Sequence, residues 1–148
     1  MKKIIAILIV ASSFLYACNC TIGKNMIKCD YYVGKKFDKT HQKECLKYAN
    51  SINKDGMYAK ASWYYLLGGD IKNAKINAKK ALKIGHHYAA EYLGIVYILE
   101  NDMKNAKKEF SFFKNKIKEN RYIKKDLSIL KHIYSNFNDK EVLQMLKD

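Results

Sequence analysis

The sequence predicts an all-α fold, a short α-solenoid of antiparallel helix pairs. Three observations carry this expectation. The 148 residues contain no proline, the residue that removes a backbone donor and breaks helix interiors. Two heptapeptides, GDIKNAK at Gly69–Lys75 and NDMKNAK at Asn101–Lys107, stand 32 residues apart, and a fixed period of a few tens of residues marks a repeat array. Small or apolar residues then recur 4, 8 and 11 positions beyond each turn aspartate, a spacing that lies on one helical face.

The turns come first. Gly69 and Asn101 are residue types that tolerate the left-handed conformation just past a helix end. Asp70 and Asp102 suit the start of the next helix, where a carboxylate accepts from free N–H groups. The same signal returns at Asn138-Asp139, and a weaker one at Phe37-Asp38, so that the aspartates at 38, 70, 102 and 139 are spaced 32, 32 and 37. This punctuation predicts helices at 56–67, 71–84, 87–99, 103–117, 122–136 and 140–147, after a less regular pair at 25–34 and 38–51. The units run at about 25–54, 55–86, 87–118 and 122–148.

Within them, Gln42, Leu46 and Ala49 correspond to Ala74, Ala78 and Ala81 and to Ala106, Phe110 and Phe113. On the preceding helices Ala61, Ser62 and Tyr65 match Leu93, Gly94 and Tyr97, small residues that let two helices approach closely. No such unit buries its apolar face alone, so neighbours must stack. The last helix, with Val142, Leu143 and Leu146, is needed to close the array.

The N-terminus reads as an address. Lys2 and Lys3 precede the 14-residue apolar run Ile4–Ala17, which is short for a membrane span and suits the apolar core of a secretory signal. Leu15-Tyr16-Ala17-Cys18 resembles a bacterial lipobox, which implies removal of 1–17, lipidation of Cys18, and a short linker at 18–24. Asn19, in place of Asp, leans towards an outer-membrane lipoprotein facing the periplasm. The alternatives are cleavage after Ala17 to give a soluble periplasmic or secreted protein, and an uncleaved anchor.

The formal charge is +14, yet 27 of the 28 basic residues are Lys and Arg121 is the sole Arg. Phosphate and base recognition favours the planar fork of Arg, and the lysines are spread along the whole chain. They read as a solvated face rather than a specific nucleic-acid site.

Export permits disulfides. Cys29 and Cys45 are equidistant from position 37, the predicted turn of the first helix pair, and a bridge between them would staple that unit. Free thiols remain an alternative, as does a metal site from Cys20, Cys29, His41 and Cys45, although the spacing matches no paired zinc-ligand arrangement.

Catalytic patterns are thin. Ser51-Ile52-Asn53-Lys54 fits a Ser-x-x-Lys motif but lacks the partner elements of that chemistry. Adjacent histidines, such as His86 and His87, point apart on a helix. No phosphate loop, cofactor motif or carboxylate pair flanking a cleft is evident, and no small-molecule substrate is implied.

The stretch AAEYLGIVY at Ala89–Tyr97, followed by NDMKNAKKEF with Ala106 nine residues after Tyr97, resembles the tetratricopeptide family and its Sel1-like relatives. The resemblance implies a right-handed superhelix that binds a protein or peptide through the concave face of the first helices. The groove positions it implies are Ala59, Trp63, Leu66 and Leu67, then Glu91, Ile95, Ile98 and Leu99, then Ser128, His132 and Ser135. Trp63 would serve as an anchor there, or these side chains pack between units. The expected function is therefore a non-enzymatic interaction scaffold or accessory subunit with a partner in the cell envelope.

Overall fold

The computed structural model describes residues 21–117 and 123–147. The signal segment, Cys18, Cys20 and Arg121 lie outside the described residues. Among the described residues every regular element is helical. Helix α1 covers 21–28 and runs on through a π-helical turn at Cys29–Val33. A 3-10 turn, Lys39–His41, leads into α2 (Gln42–Lys54). The chain continues as α3 (Tyr58–Leu67), α4 (Ile71–Lys83), α5 (Ala89–Leu99), α6 (Met103–Lys116), α7 (Ile123–Ile133) and α8 (Asp139–Met145). No helix among the described residues is long and apolar enough to cross a membrane.

The two repeated turns are built alike. Gly69 (φ 83°) and Asn101 (φ 59°) are left-handed. Just past each, Asp70 N–H donates to Tyr65 O at 2.9 Å and Asp102 N–H to Tyr97 O at 2.8 Å, which closes the preceding helix as a Schellman motif. Asp70 Oδ1 then accepts from Asn73 N and Asp102 Oδ1 from Asn105 N. Each cap has a second half that the aspartate alone does not reveal. Asn73 Nδ2 donates to Asp70 Oδ2 at 2.7 Å, and Asn105 Nδ2 to Asp102 Oδ2 at 2.6 Å. The repeated Asp-x-x-Asn is thus a two-bond lock on the start of α4 and of α6.

The outer turns differ. At the first, Phe37 itself takes the left-handed conformation (φ 59°), uncommon for a bulky residue, and Asp38 caps by accepting from Thr40 N and Oγ1. At the last, the expected cap Asp139 is corrected to Asn138. Asn138 is extended rather than left-handed, so its Oδ1 accepts from Lys140 N and the cap comes one residue early. Asp139 is the first residue of α8 and pairs with Lys131 at 3.1 Å. The linker expected at 18–24 is also shorter, because residues 21–24 are already helical. Ile22, Met26, Cys29 and Val33 form a stripe that packs on the core, which extends α1 toward the N-terminus.

From α2 to α6 each helix packs against the next in the chain. The small residues work as expected. Ser62 Oγ donates to Ala74 O at 2.9 Å, binding α3 to α4. A Cβ on Gly94 would stand 2.9 Å from two ring carbons of the buried Phe110. Every residue of α5 except Tyr92 is buried, and such a helix must be covered on all sides.

The stacking order then changes. The nearest backbone approaches of α7 are to α3 and α8, while α8 lies on α6. Ile123, Leu127, Leu130 and Ile133 turn inward from α7, and Tyr134, just beyond it, donates from Oη to Leu66 O at 2.7 Å. At the other end Cys29 and Cys45 stand at disulfide distance, with Cα atoms 4.9 Å apart, and join α1 to α2.

Two stability outcomes follow from this packing. Gly94→Ala gains about 1 kcal/mol of helix propensity but overpacks against Phe110, at a cost of about 1–3 kcal/mol. A ring with no exposed edge has nowhere to move, so a net loss in urea-unfolding midpoint is expected, recovered in part by adding Phe110→Leu. The double variant Cys29→Ser/Cys45→Ser opens a loop of sequence separation 16. It is expected to lose about 3 kcal/mol of unfolding free energy, measured without reductant, by the chain-entropy argument for such a loop.

Candidate binding cleft

The return of α7 toward α3 leaves a cleft of about 790 Å³. Three walls build it. Trp63 and Leu67 come from α3, while Asp30, Gly34 and Lys35, with Phe37, come from the α1 side. The third wall is α7, with Lys125, Asp126, Ser128 and Ile129. Trp63 is braced from behind by Tyr92 of α5, the ring centroids 5.7 Å apart and nearly parallel. Phe37 is held out by its left-handed backbone and stacks on His132 at 3.9 Å, which ties the α1–α2 turn to α7.

Two carboxylates line the cleft, and a third lies behind it. Asp30 accepts from Tyr64 Oη at 2.8 Å. Asp126, half-buried, has its pKa pushed up to about 6 by burial, against the pull of neighbouring Lys125. Behind it Glu91 is only 7% exposed, and its Oε1 has no hydrogen-bond partner among the described residues. Burial, and then the charge of Asp126, push the Glu91 pKa up to about 8. The Tyr92 phenol is raised as well, first by burial and then by Glu91 and Asp126. Glu91 was the one carboxylate expected at a groove; Asp30 and Asp126 were not among the positions expected there. The structure places Asp30 and Asp126 on the cleft, from helices almost a hundred positions apart in the chain.

The positions expected to form an open groove are distributed differently. Leu66, Leu67, Ile95, Ile98, Leu99, Ala59 and Glu91 are buried. Of these Leu67 reaches the cleft, together with the half-buried Trp63. Ser128, His132 and Ser135 are exposed, and Ser128 also lines the cleft. Phe37, Lys125, Asp126 and Ile129 were not anticipated, since no local spacing brings residue 126 next to residue 30. The one available clue was α5 itself, whose lack of a polar face requires another helix over the expected groove.

The remaining motifs stay apart from the cleft. Ser51 and Lys54 lie in the last turn of α2. His86 and His87 are exposed, one packing edge-on against Tyr88 and the other against Phe112. With Cys29 and Cys45 joined to each other, the metal alternative loses its two described thiols, and no group of three or more His, Cys, Asp or Glu among the described residues is arranged to hold a metal ion.

Compared with known proteins, the chain matches no family model, no curated protein and no solved structure.

The acidic pair sets a pH dependence with a definite sign. Both carboxyl groups bind protons more tightly when folded than when unfolded, so the native state holds more protons and stability falls as pH rises. The fall runs from the ordinary carboxylate range up through about 6 for Asp126 and about 8 for Glu91. The wild-type chain is expected to need less urea to unfold at about pH 9 than at about pH 5, and Glu91→Gln should flatten the upper part of that profile. An unchanged profile in Glu91→Gln would remove Glu91 as its origin.

Proposed function

We propose that this chain is an interaction protein of the tetratricopeptide or Sel1-like kind, carrying lipid on Cys18 at an envelope membrane and binding another protein without catalysis. The cleft between α1, α3 and α7 carries this reading. Its volume, about 790 Å³, is within the range of ligand-binding pockets. Trp63 and Phe37 offer aromatic surface, while Asp30 and Asp126 offer negative charge. An extended segment bearing a Lys or Arg beside an apolar side chain fits both, through ion pairing and cation–π contact. Trp63 keeps its proposed role as an anchor, the kind of residue that dominates binding energy when it sits in a pocket. The binding surface proposed is this cleft, because most of the other expected groove positions are core.

The raised carboxyl groups favour one second reading, hydrolysis of envelope glycan, since perturbed acids gather at catalytic sites. It fits less well. The Asp30 carboxylate is already engaged by Tyr64, and Glu91 does not line the cleft.

The test uses the chain extracted from membranes of a lipoprotein-processing host. Its intact mass is expected to start at Cys18 with acyl mass added. A photo-crosslinker on Phe37, beside an unaltered Trp63, should capture one envelope protein. Trp63→Ala or Asp126→Asn should lower that capture at least about ten-fold, as loss of a binding hot spot does. Undiminished capture in both variants would refute the cleft as the binding site. Cell-wall hydrolysis that Asp126→Asn abolishes would move the reading to an enzyme.

A further inference from the structure

Helix α1 has two faces. The inner one is the apolar stripe of Ile22, Met26, Cys29 and Val33, packed on the core and fixed to α2 through Cys45. The outer one is Lys24, Ile27, Lys28, Tyr31 and Lys35, all exposed, at spacings of 3, 4 and 7 that keep them on one side of a helix. Lys36 joins them at the end, since both Lys35 and Lys36 place Nζ within 6 Å of the Tyr31 ring centre, at 5.9 and 5.7 Å. Ile27 is 63% exposed and Tyr31 45%. The sole acid in residues 21–36, Asp30, has its carboxylate drawn off this face by Tyr64.

This face is basic with an apolar and an aromatic insertion. Charge complementarity and the position of the preceding chain point to what it meets. Thr21 stands only three positions after Cys18, a reach of about 10 Å at full extension. If Cys18 is held in a bilayer, α1 begins about one screening length, roughly 8–10 Å, from the headgroups. Its lysines run along the whole stripe rather than gathering at the near end. A helix standing upright would bring Lys24 alone within that field, whereas one lying flat brings all four.

We propose that the outer face of α1 lies on an anionic phospholipid surface, with Lys24, Lys28, Lys35 and Lys36 at the phosphates and Ile27 and Tyr31 in the headgroup layer. Lysines close to an anionic leaflet are attracted electrostatically, and an aromatic ring with one polar end suits the interface. The disulfide-fixed α1 then sets the orientation of the whole body, with α2–α8 rising from the membrane side. The anchor at Cys18 comes from the proposed function, and this inference rests on that reading for its geometry.

The experiment reconstitutes the full processed chain into phosphatidylcholine vesicles with or without phosphatidylglycerol. Flotation reports attachment. Acetylation by a membrane-impermeant reagent, read by mass spectrometry, reports each lysine, with Lys79 and Lys104 on α4 and α6 as internal references. Flotation with both vesicle types is expected, with Lys24, Lys28, Lys35 and Lys36 several-fold protected on the anionic vesicles alone. The protection should disappear at about 0.5 M salt, where the screening length is on the order of 4 Å. Lys24→Gln/Lys28→Gln should relieve it at the remaining lysines, each lost lysine weakening the contact roughly five-fold. Circular dichroism checks that the variant keeps its helices.

Flotation with both vesicle types but equal labelling would overturn the α1 face and leave the anchor standing. Flotation with neither would overturn both. Flotation with anionic vesicles alone, lost in the variant, would support the face while removing the anchor. Protection on native membranes but not on anionic vesicles would assign the stripe to a protein and overturn the lipid.

Discussion

Helix α5 has no polar side to show to water. Ten of its eleven residues are buried, and only Tyr92 is partly open. Its chain neighbours α4 and α6 can cover only part of it, as the two partners of a helix in a layered array do. An open end would leave Ile95, Ile98 and Leu99 wet, at a cost of about 1.5–3 kcal/mol for each large apolar side chain. In the fold α7 returns toward α3, and its Asp126 comes near enough to Glu91 of α5 to raise that carboxyl's pKa. Several other features follow from that placement. Tyr134 reaches the C-terminal end of α3, Phe37 finds His132, and the space left between α1, α3 and α7 becomes the cleft.

The same constraint accounts for the repeated middle and the irregular ends. Between Asp70 and Phe113 the chain needs only local rules. A left-handed residue closes one helix, an Asp-x-x-Asn pair opens the next, and a small residue lets the two pack. Where Gly94 removes bulk, Phe110 supplies it, while Ser62 stands where a small partner, Ala78, lies at the corresponding position. The outer units meet different demands. Phe37 accepts a conformation better suited to Gly or Asn, and the ring it projects packs against α7. Asn138 caps α8 from an extended backbone, which starts the final helix one residue earlier than the repeat would.

What the sequence made legible was what nearest neighbours decide. The helix succession, the caps at Asp38, Asp70 and Asp102, the close approach at Gly94 and the pairing of Cys29 with Cys45 all depend on residues a turn or a hairpin apart. The cap at residue 138 was misplaced because Asn and Asp both serve as caps, and their order resolves only when the backbone is seen. The cleft was illegible for a stronger reason. Asp30, Trp63 and Asp126 belong to three elements that meet only in the packed fold, and no spacing rule links them. Trp63 was found by its chemistry, as the single tryptophan on a first helix, although the groove imagined around it is mostly core.

Two aspartates show how far position overrides residue type. Asp102 and Asp126 both sit at the start of a helix, where the exposed N–H groups favour a negative charge. At Asp102 the backbone and side chain of Asn105 donate to the carboxylate and hold its pKa below the ordinary range. Asp126, in the first turn of α7, is half-buried facing Glu91, and burial raises its pKa to about 6 in spite of Lys125. The helix terminus contributes about 0.3–1 kcal/mol at a surface site. Burial nevertheless wins at Asp126, since its pKa is raised rather than lowered. One aspartate therefore stays ionised through any ordinary pH and serves the fold. The other changes charge near neutrality inside the cleft, where a cationic group from a partner would meet it and draw it into the ionised form.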